Sequence, residues 1–203
     1  LERAAGRLAE ARPLLEKAHK LAPADQAAGN ELLALYQQLG DAPAALRVAK
    51  QLAQARPDDP ALLEALGRAH HVVGERAQAW AAFAKLARQA GGDAERLVAV
   101  GALQLFAGDG GGAAASAEKA LAVRPGHLAA ATLQVEAELA AGALERAEAL
   151  QAAFARRTGN GAEARRLAGD IAMRRGQPGG VGHRMSRLDH LDAVASAAVA
   201  VAG

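Results

Sequence analysis

Glycine recurs in this chain at a fixed interval. Gly6, Gly40, Gly74, Gly108, Gly142 and Gly176 stand 34 residues apart. Three further phases keep the same step: Pro23, Pro57, Gly91, Pro125 and Gly159; Asp25, Asp59 and Asp93; and Ala11, Ala45, Ala79, Ala113 and Ala147. Agreement at four phases is not chance. A period of this length means one supersecondary unit repeated, each unit too small to bury its apolar face alone and therefore stacked on its neighbours.

Each phase has a physical task. The aspartate accepts hydrogen bonds from the free N–H groups that open a helix. At Asp59 it precedes Pro60, which is tolerated at the first helical position. The glycine 15 residues later can take the left-handed conformation that ends the helix. Asp41, Glu75 or Asp109 then opens a second helix, favourably placed against its dipole. Proline or glycine closes that second helix, so each unit reads helix, tight turn, helix.

Composition agrees with an all-α chain. Of 203 residues, 51% are hydrophobic and only 2% aromatic. Alanine dominates, and it favours helices that pack closely. The β-branched and aromatic residues a sheet would want are sparse. The predicted layout is a remnant helix over 1–5 with its partner over 8–21. Helix pairs follow at 26–39/42–55, 60–73/76–90, 94–107/111–123 and 127–141/144–158, then a last helix over 162–175. In repeat terms this is a partial repeat 1–25, repeats 26–59, 60–93, 94–127 and 128–161, and a half repeat 162–177. Gly67, Gly101 and Gly169 fall in the middle of first helices, where glycine costs about 1 kcal/mol relative to alanine. Close helix–helix approach is the reading that accounts for that cost.

After Gly176 the pattern breaks. The segment 178–203 carries no phased proline or glycine. It reads either as a capping helix over Ser186–Val201 or as a shift of reading frame in the source gene. Its final apolar run, AVASAAVAVAG, is too short for a bilayer, which needs about 20 apolar residues. No membrane span is expected.

The helical pair of 34 residues resembles the tetratricopeptide repeat. Leu63, Leu66, Gly67, Ala79 and Phe83 carry the best match, with Gly91 in the slot that Pro57 and Pro125 fill elsewhere. The unit from Ala94 supplies Leu97, Val100, Gly101, Ala113, Ala120 and Pro125; the unit from Gln26 supplies Leu32, Tyr36, Ala45 and Pro57. The unit from Leu128 keeps Val135, Ala147 and Phe154, but Gln134 and Glu138 depart from the pattern. The resemblance covers 1–177 and implies an α-solenoid of stacked antiparallel helix pairs, a TPR-like superhelix. It also implies a concave groove lined by the first helices, where a peptide segment or protein partner binds. The groove positions it implies are Asn30, Ala34 and Gln37; Glu64, Arg68 and His71; Val98, Ala102 and Leu105; Thr132, Glu136 and Leu139; and Arg166, Asp170 and Met173. The Lys/Asn set that clamps a terminal carboxylate is absent. A narrower resemblance, carried by the segment from Gly108 to Pro178 with RLAGD at 166–170, is to bacterial TPR lipoproteins of PEP-CTERM exopolysaccharide systems. It implies an exported, lipid-anchored envelope protein. A cytoplasmic adaptor and a non-catalytic piece of a larger protein are the alternatives.

Other chemistry finds little support. The absence of cysteine excludes disulfides, thiolate metal sites and a cysteine nucleophile. His70 and His71 point about 100° apart on a helix and cannot chelate one metal together. His70 sits in the Tyr36 slot and is expected to be packed. GDGGGAAAS at 108–116 lacks the Gly-Lys-Ser/Thr ending and the preceding strand of a phosphate loop. GGVGHR at 179–184 is equally weak. His183 and His190 share a helical spacing but no second metal motif. The pairs Arg156–Arg157, Arg165–Arg166 and Arg174–Arg175 form no single stripe, no aromatic residues interleave them, and the net charge is only +2, so nucleic acid is not an expected partner. No cofactor and no enzymatic activity are expected.

Overall fold

A computed structural model describes residues 2–22 and 25–176. Among them the chain forms ten α-helices and no strand. These are α1 (Glu2–Leu21), α2 (Gln26–Leu39), α3 (Ala42–Ala55), α4 (Pro60–Val72), α5 (Arg76–Gln89), α6 (Ala94–Phe106), α7 (Gly110–Val123), α8 (Leu128–Ala141), α9 (Leu144–Thr158) and α10 (Ala162–Gly176). The chain divides into two compact units, Leu1–Lys85 and Leu86–Gly203. Within each, consecutive helices pack antiparallel, so the fold is the expected all-α class of stacked helix pairs.

The phased residues do the work assigned to them. Asp25, Asp59 and Asp93 each accept from backbone N–H groups in the first turn of α2, α4 and α6. Gly40, Gly74, Gly108 and Gly142 all have positive φ, between 70° and 83°. Each gives its N–H to the carbonyl three residues back, and the residue after it bonds the carbonyl five back, as Asp41 does to Tyr36 at 2.9 Å. This is the Schellman motif, repeated four times. Asp41 and Asp109 then turn their carboxylates onto Ala44 and Gly112 to cap α3 and α7. At the other boundary the chain uses two devices. Gly91 and Gly159 adopt positive φ. Arg56 and Arg124, by contrast, are extended at φ −140° and −134°, as the residue before a proline prefers to be.

Three expectations are corrected. The first is the turn at Gly6, because α1 runs unbroken from Glu2 to Leu21 with Pro13 inside it. Arg7 follows Gly6 and offers no capping carboxylate of the kind Asp41 and Asp109 supply. The second is Gly176, which is the last residue of α10 rather than a left-handed turn. The third concerns mid-helix glycines. A Cβ on Gly67 would lie 2.5 Å from the Phe83 ring, and one on Gly101 2.5 Å from Leu133. Gly169 has nothing within 4 Å, so close approach does not explain it. The segment 178–203, with His183, His190 and the Ser186–Val201 helix, lies outside the described residues.

The glycines of 108–112 also find their place. A Cβ on Gly110 would meet the backbone of α8, 2.8 Å from the Ala141 nitrogen and 2.9 Å from the Ala137 oxygen. Gly112 receives the Asp109 carboxylate through its N–H. The stretch is a close helix–helix crossing and a cap, not a phosphate cradle.

Candidate interaction surface

The first helices of the repeats carry the predicted groove positions, and the two units present them differently. In the first unit, Asn30, Ala34 and Gln37 on α2 are all exposed. With Gln26 they face Ala61 and Ala65 of α4 across a cleft of about 190 Å³. The small alanine side chains leave room for a main chain, and the carboxamides of Gln26, Asn30 and Gln37 bring both donors and acceptors to it. Further along α4, Arg68 closes on Glu64 at 2.9 Å, both partly buried. His71 is partly buried as well.

In the second unit three of the same positions lie in the core. Val98 is 8% exposed and Leu139 only 2%, and Ala102 is buried too. These three are corrected from groove surface to core. Val98 packs in a cluster with Leu97, Ala130 and Leu133, and Leu139 in one with Val135, Ala147 and Ile171. Leu105, Thr132 and Glu136 are partly buried. Arg166 of α10 gathers three carboxylates: Glu136 at 2.7 Å, Glu163 at 2.6 Å and Asp170 at 2.9 Å. Hydrogen bonding to Glu163, and then to Glu136, raises its pKa further despite its partial burial, so it stays charged. Met173 is exposed.

One periodic slot, which the sequence marks at Tyr36 and His70, extends to Gln104 and Glu138. Tyr36, His70, Gln104 and Glu138 are spaced by the repeat and are 4%, 5%, 3% and 4% exposed. Each backbone carbonyl accepts the hydrogen bond of a Schellman turn that comes from the residue after the glycine. Each side chain has a polar partner: the Tyr36 hydroxyl donates to Glu16 at 2.7 Å, and His70 Nδ1 lies 2.6 Å from Glu75. Ser116 donates to Gln104 at 2.6 Å, and Arg146 lies 3.2 Å from Glu138. His70 is packed, as its slot predicted. Glu138, which breaks the residue pattern, keeps the rule that a polar side chain buried there is met by another. His127 likewise replaces the aspartate cap: its Nδ1 accepts from the Ala130 N–H at 3.4 Å.

No described helix is long and apolar enough to cross a membrane. No curated protein matches the chain. Among solved structures, it is similar to a tetratricopeptide repeat protein from Parabacteroides merdae, with 18% identity, 97% of this chain and 73% of that one covered, and a TM-score of 0.63. It is similar to MamA at 19% identity, covering 85% of this chain and 95% of that one, with a TM-score of 0.56. A structure of Naa15/Naa10 bound to HypK-THB contains a chain that matches at 18% identity and a TM-score of 0.60, over 84% of this chain and 27% of that one. The tetratricopeptide repeat family model matches residues 2–69. Residues 2–69 therefore carry the tetratricopeptide repeat, and the chain has the all-α fold of tetratricopeptide-repeat structures.

Proposed function

We propose that this protein is a protein-interaction scaffold that holds an extended segment of a partner in the cleft between α2 and α4. One observation carries the reading. Asn30 and Gln37 are exposed beside small alanines, whereas in the second unit Val98 and Leu139 at the matching positions are buried and Glu136 is held by Arg166. Carboxamides at that spacing suit the alternating N–H and C=O groups of an extended main chain. The role proposed is non-catalytic.

Selection from a displayed peptide library tests this. Enriched peptides should bind the wild-type protein and lose at least tenfold in affinity to an Ala34→Arg variant, which fills the cleft. Peptides that bind the variant equally well would place recognition elsewhere. The envelope exopolysaccharide setting rests on the resemblance of 108–178 alone, and the matched family model lies outside that stretch. A signal peptide with a lipid-bearing cysteine encoded upstream would support it; a start codon there with no export signal would favour the cytoplasmic adaptor.

A further inference from the structure

By phase, α1 is a second helix and α10 a first helix. Ala11 of α1 is in step with Ala45, Ala79, Ala113 and Ala147, and Gly169 of α10 with Gly67 and Gly101. Among the described residues α1 packs on α2, and α10 on α8 and α9. The face that each would turn to the other half of its own pair is uncovered. On α1, Ala11, Leu14 and Ala18 share one side of the helix at i, i+3 and i+7. Leu14 is 71% exposed, against 5%, 7% and 2% for Val48, Ala82 and Ser116 at its phase. Ala18 is exposed too, whereas Leu52, Leu86 and Ala120 at its phase are buried. On α10, Gly169 and Ala172 are exposed, whereas Gly67, Gly101, His70, Gln104 and Glu138 at the same two phases are buried.

The pair α6–α7 shows how two such faces fit. A Cβ on Gly101 would lie 3.3 Å from the Ser116 Cβ and 3.5 Å from the Ala113 carbonyl oxygen. Ser116 also donates to Gln104 at 2.6 Å. Shifted by whole periods, Gly101 and Gln104 become Gly169 and Ala172, and Ala113 and Ser116 become Ala11 and Leu14. A polar contact between Ser116 and Gln104 is thus replaced by an apolar one. The large Leu14 side chain stands opposite two small residues, so the exchange balances in volume as well as polarity. Charge agrees. Arg146 of α9 reaches Glu138 of α8 at 3.2 Å. At the phase of Arg146, α1 carries the exposed Glu10, and the end of α10 carries Arg174 and Arg175.

We propose that two copies of this chain associate head to tail, α10 of one copy and α1 of the next together completing a helix pair. Each face finds its complement on the other end of the same sequence, and the interface reuses the packing inside the repeats. Such a contact joins two different surfaces, so it extends until it closes a ring or runs on as a filament. It lies outside the α2–α4 cleft and does not depend on it.

Sedimentation velocity of the full chain over a concentration series tests this, with Leu14→Lys blocking one face and Gly169→Arg the other. The wild-type mass should rise with concentration. Either variant alone should need at least tenfold more protein to reach the same mass, because every junction uses both faces. Mixed together, the two variants retain one intact face each and should form a dimer that grows no further. Both positions are exposed, so the fold should persist, and circular dichroism checks it; Leu14→Ala is a milder second variant and should weaken association in the same direction. A wild-type chain that stays monomeric up to its solubility limit would show that something other than a second copy covers these faces. Self-association that survives in either variant, or a mixture that stays monomeric while the wild type associates, overturns the head-to-tail contact.

Discussion

Tyr36 shows how one side chain ties the repeat to its neighbour. Its ring is buried, Arg12 sits 5.5 Å from the ring centroid, and its hydroxyl reaches Glu16, 20 residues back. Two titrations follow. Hydrogen bonds from Arg12 and then Tyr36 hold the Glu16 carboxyl below its ordinary 4.5. That contribution is full above about pH 4.5 and drains as pH falls through the lower folded value. Burial, and then the bond to Glu16, push Tyr36 above its ordinary 10.0. That contribution is full below about pH 10 and is lost as pH rises through the higher folded value. Tyr36→Phe should therefore lower stability by about 0.5–1 kcal/mol near neutrality, toward the low end because Glu16 is half exposed. The gap in urea midpoint between wild type and variant should shrink at both pH extremes. A gap that stays constant from pH 3 to 11 would mean the hydroxyl contributes no proton-linked stability. The Tyr36 slot was legible in the sequence, because the period placed it. Its partner was not, since Glu16 lies outside any phased position.

At the scale of the helix, residue type sets the ends and the neighbouring helix sets the faces. Aspartate caps and glycine turns act within a few residues, so the turns at Gly40, Gly74, Gly108 and Gly142 could be read directly; Gly6 and Gly176 shared their phase without turning, and capping by the His127 ring nitrogen has no usual sequence mark. Burial depends on what lies opposite. Leu14 is 71% exposed, yet Val48, Ala82 and Ser116, at the same phase, are buried. Val98 and Leu139 occupy groove positions of the repeat pattern and lie in the core for the same reason. Gly29 and Gly110 make close crossings, against Leu52 and α8, without belonging to a phased set. Gly67 and Gly169 test this distinction, since they share a phase and differ in surroundings. Gly67→Ala drives a Cβ into the Phe83 ring. Overpacking costs about 1–3 kcal/mol and helix propensity returns about 1, so the melting temperature should fall. Gly169→Ala meets open space and should raise stability by up to about 1 kcal/mol. Parallel thermal melts decide; equal shifts of the same sign would remove close packing as the reason for Gly67.

The whole molecule inherits its behaviour from the period. Hydrogen bonds between helices join residues such as Tyr36 and Glu16, His19 and Gln51, or Arg124 and Glu95, 20, 32 and 29 positions apart. Such contacts reach one repeat away, as expected where stability is a sum of repeat and nearest-neighbour terms. The length of the array should then be adjustable in whole periods and in nothing smaller. Deleting residues 60–93 joins Asp59 to Ala94, and Asp59 occupies the phase of Asp93, so α6 keeps an aspartate cap. The polar slot at Gln104 keeps Ser116, and the Schellman turn at Gly108 is intact. The shortened chain should remain helical and melt cooperatively. Its midpoint should be lower, because α3 now faces Arg96 where Leu62 stood. Removing residues 60–76 instead, half a period, would set one second helix after another and leave the buried face of α3 without its counterpart. Circular dichroism melts of the two deletions, with dye binding to report exposed apolar surface, separate the outcomes. A cooperative half-period deletion, or a molten whole-period one, would show that the 34-residue step does not govern how this chain folds.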